Sequence, residues 1–225
     1  MDSIQTTRSN YLGQYFLINH PAVERTSKSI GIIETSITKE LHREPTQARM
    51  KGHVLYLAQT SRSSTNPVNT KRTLRYIAAV LHNIGYQPTD TLYQRFTHYS
   101  RDTETATPQA NLVLRLGNPN GKQIILGAHY DSEINSPGAD DNASSIAVLL
   151  ELARKLKPYE HQLQDSEYGV QIAFWGNEEY PLNRQKVFDH KKNADIVRNN
   201  MGSHKFADYL RRKNTNIDQI FCLDM

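Results

Sequence analysis

Two adjacent glutamates, Glu178 and Glu179, follow a mostly apolar run at 170–175 that is typical of a buried strand. Neighbouring carboxylates repel each other, and the end of a strand in an α/β fold lies beside the crevice where ligands usually bind. The pair by itself is also compatible with a solvated turn. What the two carboxylates do therefore depends on which other side chains the fold brings to the same place.

Histidine and aspartate side chains stand at the ends of other predicted strands. His129 and Asp131 close the run QIILGAHYD, Asp140 and Asp141 directly precede a predicted helix, and Asp224 closes QIFCLD. Because the carboxyl ends of strands share one edge of an open α/β sheet, we expect these side chains to lie together. Imidazole and carboxylate groups gathered there would need a cation, and divalent zinc accepts both as ligands.

Each of these residues also has a simpler interpretation. His129 is compatible with a buried core histidine, the pair Asp140–Asp141 with a cap for the following helix, and Asp224 with an ordinary turn. Together, these interpretations would require all the residues to reach one edge of the sheet by accident. The sequence therefore favours a zinc site.

The elements that must position these residues alternate between helices and strands. Hydrophobic periodicity predicts helices at 30–41, 46–60, 66–85, 142–156 and 202–212. Apolar or alternating runs predict strands at 91–100, 111–117, 123–131, 170–175 and 217–225, with a hairpin-type turn at NPNGK, residues 118–122. Strands that alternate with helices predict an α/β sandwich with a mixed sheet.

Composition and charge argue against several classes of function. The 225 residues carry a net charge of +4, and the basic clusters are dispersed without aromatic side chains between them, as on solvated helix faces. We therefore expect no nucleic-acid partner. No apolar run approaches the ~20 residues of a membrane helix, and no export signal is visible, which slightly favours the cytoplasm. Cys222 is the only cysteine, which excludes an intrachain disulfide, and its apolar strand predicts a buried thiol.

Five segments in order, GAHYDS, GADDNASSIAVLLELAR, WGNEEY, MGSHKFADYL and FCLDM, resemble the co-catalytic two-zinc aminopeptidase family. That metallopeptidase family also holds glutamate carboxypeptidase, glutaminyl cyclases and the transferrin receptor. The resemblance covers about 46–225 and implies a three-layer sandwich whose mixed central sheet is mostly parallel and flanked by helices. Residues 1–45 lie outside the resemblance and are predicted to form a partly helical extension.

The resemblance also implies a set of zinc ligands. His129 would bind one zinc, Asp141 would bridge two zincs, and Asp224 would complete the side that contains His129. Glu179 would bind the second zinc. This arrangement would leave one carboxylate of the glutamate pair free of metal.

The remaining carboxylates receive different roles from the resemblance. Glu178 would be the general base that takes a proton from the attacking water. Asp131 would hydrogen-bond the other ring nitrogen of His129 and orient that ligand. The resemblance further implies a cis peptide bond between Asp141 and Asn142.

The chain departs from the family pattern at two places. The family's fifth ligand is a histidine on a strand after the one that carries Asp224, whereas this sequence stops at Met225. We expect a truncated or split gene product that binds at most one zinc tightly and has reduced or no activity. A naturally shortened, inactive relative is the alternative. The polar stretch at 181–200 is predicted to be an insertion that decorates the surface.

The function implied by the resemblance is that of a zinc-dependent exopeptidase, with an aminopeptidase favoured, acting on a peptide or amino-acyl substrate. A glutaminyl cyclase, which shares the fold but uses one zinc, and a non-catalytic domain are the alternatives. The intact His129-x-Asp131 and GADDNAS segments favour two metals, and retention of Glu178 argues against a pure scaffold.

Overall fold

The structure, a computed structural model, describes residues 46–100, 105–179 and 201–224. The predicted extension at 1–45, with its helix at 30–41, and the predicted insertion at 181–200 lie outside the described residues. What the sequence predicts for these segments therefore stays a prediction.

Five α-helices occur in the described ranges: α1 (Thr46–Leu57), α2 (Pro67–Ile84), α3 (Ser145–Leu156), α4 (Glu160–Gln164) and α5 (Gly202–Arg212). The side chain of Asn66 accepts a hydrogen bond from the N–H of Asn69 and so caps the start of α2. Gly85 ends α2 in the left-handed conformation, with a φ of 111°. These local signals confirm the predicted bounds of α2. None of the helices described is both long and apolar enough to cross a membrane.

A five-stranded sheet forms the centre of the domain. Its strands are β1 (Thr91–Ser100), β2 (Thr105–Gly117), β3 (Lys122–His129), β4 (Tyr168–Trp175) and β5 (Ile217–Cys222), in the order β1-β2-β4-β3-β5. β2 runs antiparallel to both of its neighbours, whereas β4, β3 and β5 are parallel to one another. All strands except β2 therefore point the same way, which confirms the mixed, mostly parallel sheet.

The prediction of a hairpin at 118–122 is wrong. The chain does turn there, since the N–H of Gly121 donates to the carbonyl of Asn118 over 3.2 Å. However, β4 lies between β2 and β3 and pairs with both of them. β4 is buried along nearly its whole length, and a strand that is apolar on both faces is more stable inside a sheet than at its edge.

Helices pack against both faces of the sheet. One apolar core lies between the sheet and helices α1, α2 and α3, which contribute residues such as Leu57, Ile77 and Leu149. A smaller core on the opposite face forms where Phe206 and Leu210 of α5 pack against β2, β3 and β4. The described residues thus form the three-layer α/β sandwich that the resemblance implies.

Helix α3 begins later than the sequence predicts, at Ser145 instead of residue 142. A π-helical segment, Ala139–Ser144, precedes it, and Asp141 and Asn142 have non-helical backbone conformations within that segment. The peptide bond between these two residues is cis, as the resemblance implies. Asp141 therefore lies in a turn ahead of the helix, from which its carboxylate reaches the end of β3.

Strand β5 corrects the prediction for Cys222. The strand pairs with β3 on one side, and all of its residues are exposed. Cys222 is accordingly an exposed thiol instead of a buried one. The apolar sequence of β5 predicts burial, but the described elements leave this edge strand largely uncovered.

Replacing Leu149 by alanine should lower the free energy of unfolding by about 2–5 kcal/mol, because a side chain with 0% exposure leaves a cavity when it is truncated. Denaturant unfolding followed by circular dichroism measures this loss. Val148 on the same helix is 36% exposed, so Val148→Ala is the matched control and should cost less than about 1 kcal/mol. Equal losses in the two variants would contradict the packing of α3 on the sheet.

Candidate metal centre

The carboxyl ends of three parallel strands meet at one edge of the sheet. His129, the last residue of β3, lies opposite Trp175, the last residue of β4. The N–H of Leu223 donates to the carbonyl of Gly127 over 2.9 Å, which continues the pairing of β5 with β3 past the end of β5. Asp224 therefore arrives beside His129.

The imidazole of His129 is the centre of a cluster of carboxylates. Its side chain is 4% exposed, and Nε2 lies 3.0 Å from Oδ1 of Asp141 and 3.4 Å from Oδ1 of Asp224. Oε2 of Glu178 is 4.0 Å from the same nitrogen. The three carboxylates come from the turn before α3, the end of β5 and the loop after β4. The structure thus brings together residues that the sequence predicts to converge.

The donor atoms fit a divalent metal such as zinc. Two groups, His129 with Asp141 and Asp224, and His129 with Glu178 and Glu179, each offer ligand atoms that lie within 4.8 Å of one another. Ligands that share one zinc at about 2.0–2.2 Å lie up to about 4.4 Å apart. The separations of 3.0 and 3.4 Å around Nε2 meet this requirement, and nitrogen with carboxylate oxygen is a donor set that zinc favours.

Asp131 is fully buried and binds the backbone of the glutamate pair. Its Oδ1 accepts a hydrogen bond from the N–H of Glu178 over 3.1 Å, and its Oδ2 accepts one from the N–H of Glu179 over 2.9 Å. The distance from Oδ1 to Nδ1 of His129 is 3.6 Å, which is too long for a hydrogen bond. At that distance the histidine ring does not donate a hydrogen bond to Asp131, and the hydrogen bonds of this carboxylate come from the backbone of the glutamate pair.

Residues that the sequence analysis did not select hold the end of β4. Oδ1 of Asn111 accepts a hydrogen bond from the N–H of Gly176, and its amide donates to the carbonyl of Gly202 at the start of α5. Asn177, which precedes the glutamate pair, has a left-handed φ of 63° and a buried side chain 3.2 Å from Nδ1 of His98. In the sequence, the signal for Asn111 is a polar residue that opens the otherwise apolar run NLVLRLG.

Burial and neighbouring charges shift the pKa values of the site. Burial lowers the pKa of His129, but the surrounding carboxylates, above all that of Asp131, outweigh it and raise the pKa to about 9. Burial, followed by the charges of Asp141 and Glu178, raises the pKa of Glu179 to about 7. Burial is also the main cause that raises the pKa of Glu178. The cluster therefore holds protons near neutral pH that a cation would displace.

Comparison with known proteins places this geometry in a family. Residues 111–225 match the sequence profile of peptidase family M28. The uncharacterised protein YfbL of Escherichia coli (strain K12) is 39% identical over 154 residues, which cover 64% of this chain and 42% of YfbL. Aminopeptidase YwaD of Bacillus subtilis (strain 168) is 32% identical over 103 residues, which cover 45% of this chain and 18% of YwaD. The matched part is thus less than half the length of either relative.

Solved structures share the fold. A Zn-dependent exopeptidase from Parabacteroides distasonis superposes with a TM-score of 0.62 at 22% identity, covering 78% of this chain and 60% of its own. The glutaminyl cyclase of Fimbriiglobus ruber has a TM-score of 0.61 at 18% identity, covering 77% of this chain and 59% of its own. The superpositions establish a shared architecture. At identities this low they do not establish a shared activity, which has to be argued from the residues of the site.

We expect the affinity of the chain for zinc to rise with pH between about 6 and 9. His129 is protonated below its pKa of about 9 and Glu179 below its pKa of about 7, and each proton must leave before the ligand atom binds a metal. For each proton that zinc displaces, the affinity rises by up to about tenfold per unit of pH. Isothermal titration calorimetry in buffers of different ionisation enthalpy measures both the affinity and the protons released.

The matched control for this titration is His129→Gln, whose side chain does not titrate in this range. Its residual zinc affinity should depend less steeply on pH than that of the unchanged chain. The same slope in both proteins would contradict the assignment of His129 as a ligand.

Proposed function

This chain belongs to peptidase family M28, and from that premise we propose that it is a zinc-dependent exopeptidase, with aminopeptidase activity favoured. The observation that carries the proposal is the meeting of His129 with carboxylates from three separate segments, one of which is that of Glu178. Hydrolysis of a peptide bond by this route needs ligands for a cation and a base that is not itself a ligand. The proposed substrate class is a peptide or an amino-acyl compound.

Two zinc positions are proposed around a shared carboxylate. His129, Asp141 and Asp224 would hold one ion, which matches the three protein ligands of catalytic zinc sites with an open position. Glu179 would hold the second ion together with Asp141. In the structure Glu179 offers a ligand atom within 4.8 Å of those of His129 and Glu178, and the charge of Asp141 is among the causes that raise its pKa.

Zinc, when bound, supplies a lowered pKa for water and polarisation of the substrate carbonyl. The residues of the chain supply the proton transfer. Glu178 would accept a proton from the attacking water on its carboxylate and pass it to the nitrogen of the leaving amine. Asp131 would support this step because its carboxylate accepts hydrogen bonds from the N–H groups of Glu178 and Glu179. These hydrogen bonds would hold the backbone that carries the two carboxylates.

The names of relatives favour exopeptidase activity over the alternatives. The Bacillus subtilis relative is named an aminopeptidase, whereas the likeness to the Parabacteroides distasonis exopeptidase is one of fold alone. A glutaminyl cyclase with one zinc and a non-catalytic domain are the competing functions, and the cyclase likeness is one of fold alone. Metal content per chain, measured with cleavage of aminoacyl-nitroanilides, separates the three. This chain spans less than half the length of these relatives, so the assay should also include the longest protein that its gene encodes.

Replacing Glu178 by glutamine should leave zinc content unchanged and lower kcat by about 10²–10⁴-fold, because a neutral amide cannot accept the proton from water. Steady-state kinetics on an aminoacyl-nitroanilide and metal analysis of the same sample measure the two effects. Unchanged turnover would mean that another group is the base.

The contrasting variant is Asp141→Asn, which should lose metal, because a neutral amide is a poor bridge between two cations. Asp140, the adjacent aspartate, is exposed, so Asp140→Asn is the matched control and should keep both metal and activity. If the Asp140 and Asp141 variants keep the same metal content, the proposed bridging role is wrong.

A further inference from the structure

Arg62, in the connection between α1 and α2, is a buried cation close to the metal centre. It is 1% exposed, and its guanidinium donates four hydrogen bonds of 2.7–2.8 Å to backbone carbonyl oxygens. These acceptors belong to Leu57 at the end of α1 and to Tyr130, Pro137 and Gly138. Every acceptor except Leu57 lies on the loop between His129 and the aspartate pair.

The charge of Arg62 has no ion-pair partner among the described residues. Burying an arginine is unfavourable unless its charge is compensated, and a packed apolar side chain would stabilise the fold as well or better. Burial lowers the pKa of Arg62 to about 10, while the negative charges of Asp131 and Asp141 act in the opposite direction. Stability alone therefore does not account for the burial of this guanidinium. Its contacts with the loop that leads to the aspartate pair do account for it.

The hydrogen bonds of Arg62 close the loop next to both ends that carry metal ligands. Tyr130, whose carbonyl binds Nε, directly follows His129. Gly138, whose carbonyl binds Nη2, comes three residues before Asp141, and the same carbonyl accepts the N–H of Ala143 over 3.1 Å. The planar fork of one guanidinium thus joins the two ends of the loop.

The loop between His129 and the aspartate pair packs closely against the side chain of Arg62. Gly138 has a left-handed φ of 58°, and a Cβ placed on it would lie 2.5 Å from the carbonyl oxygen of Asp141 and from Cβ of Ser132, and 2.7 Å from Nη2 of Arg62. The N–H of Arg62 also donates to Oγ of Ser132 over 2.9 Å, so the backbone of this residue contacts the same loop. Both the side chain and the main chain of Arg62 therefore hold the segment 130–138.

We propose that Arg62 is a positioning residue for the metal centre, because its guanidinium sets the separation of His129 and Asp141 by holding the carbonyls of Tyr130 and Gly138. The proposal rests on the proposed zinc function. Arg62 acts through the backbone and touches neither metal nor substrate.

The test compares Arg62→Lys with Arg49→Lys, which changes another buried arginine. Arg49 on α1 donates to both carboxylate oxygens of Glu151 on α3 and is the matched control, because this buried pair joins two helices. In Arg62→Lys, the affinity for Co²⁺ should fall by about 10- to 100-fold and the visible absorption of bound Co²⁺ should change. In Arg49→Lys, the Tm should fall while the Co²⁺ affinity and spectrum stay as in the unchanged chain.

A second measurement does not depend on metal binding. Hydrogen–deuterium exchange of the metal-free proteins should become faster in the segment 130–144 of Arg62→Lys, and not in that segment of Arg49→Lys. Unchanged Co²⁺ affinity or unchanged exchange of 130–144 in Arg62→Lys overturns the positioning role. If the unchanged chain binds no Co²⁺, the zinc function fails by itself, and the exchange comparison alone decides whether Arg62 holds the loop.

Discussion

The crowding of negative charge around one buried imidazole is the constraint on which the rest of this structure depends. Carboxylates from three loops approach Nε2 of His129 to 3.0–4.0 Å. The ligand atoms of Asp141 and Asp224, and likewise those of Glu178 and Glu179, lie within 4.8 Å of each other. Like charges at that separation repel by roughly 3–4 kcal/mol at the effective dielectric constant of a protein surface, unless protons or a cation compensate for them. The carboxylates raise the pKa of His129 against the effect of burial, and burial together with the neighbouring charges raises the pKa of Glu179. The same crowding makes the site suitable for zinc.

The fold resists this repulsion with contacts that lie outside the cluster. The loop after β4 is fixed by the carboxylate of Asp131 and by Asn111, which joins the end of β4 to the start of α5. The loop after β3 is fixed by Arg62 through backbone carbonyls. Both of these segments are thus held by polar side chains that are themselves buried. Such supporting contacts are what keep metal ligands in place when the charges that they carry favour separation.

Parts of the fold could be predicted wherever the deciding signals are local. The bounds of α2 follow from Asn66 and Gly85, which satisfy or terminate the helix within one turn. The pairing of β2 and β3 could not be predicted in the same way, because the turn at 118–122 is compatible with a hairpin. The insertion of β4 between the two strands depends on the burial of a segment about 50 residues further along the chain. The exposure of Cys222 likewise depends on what covers β5.

For the candidate site, the sequence by itself determined the residue types and their places at strand ends, because an apolar run and the residue that follows it are neighbours in the chain. His129, Glu178 and Asp224 were therefore identifiable as members of one cluster. Only the tertiary structure decided the contacts that hold them. Asp131 reaches the backbone of Glu178 across 47 residues of sequence, and Arg62 reaches Gly138 across 76. No local pattern encodes such a contact, since it arises only when the sheet and its covering helices pack together.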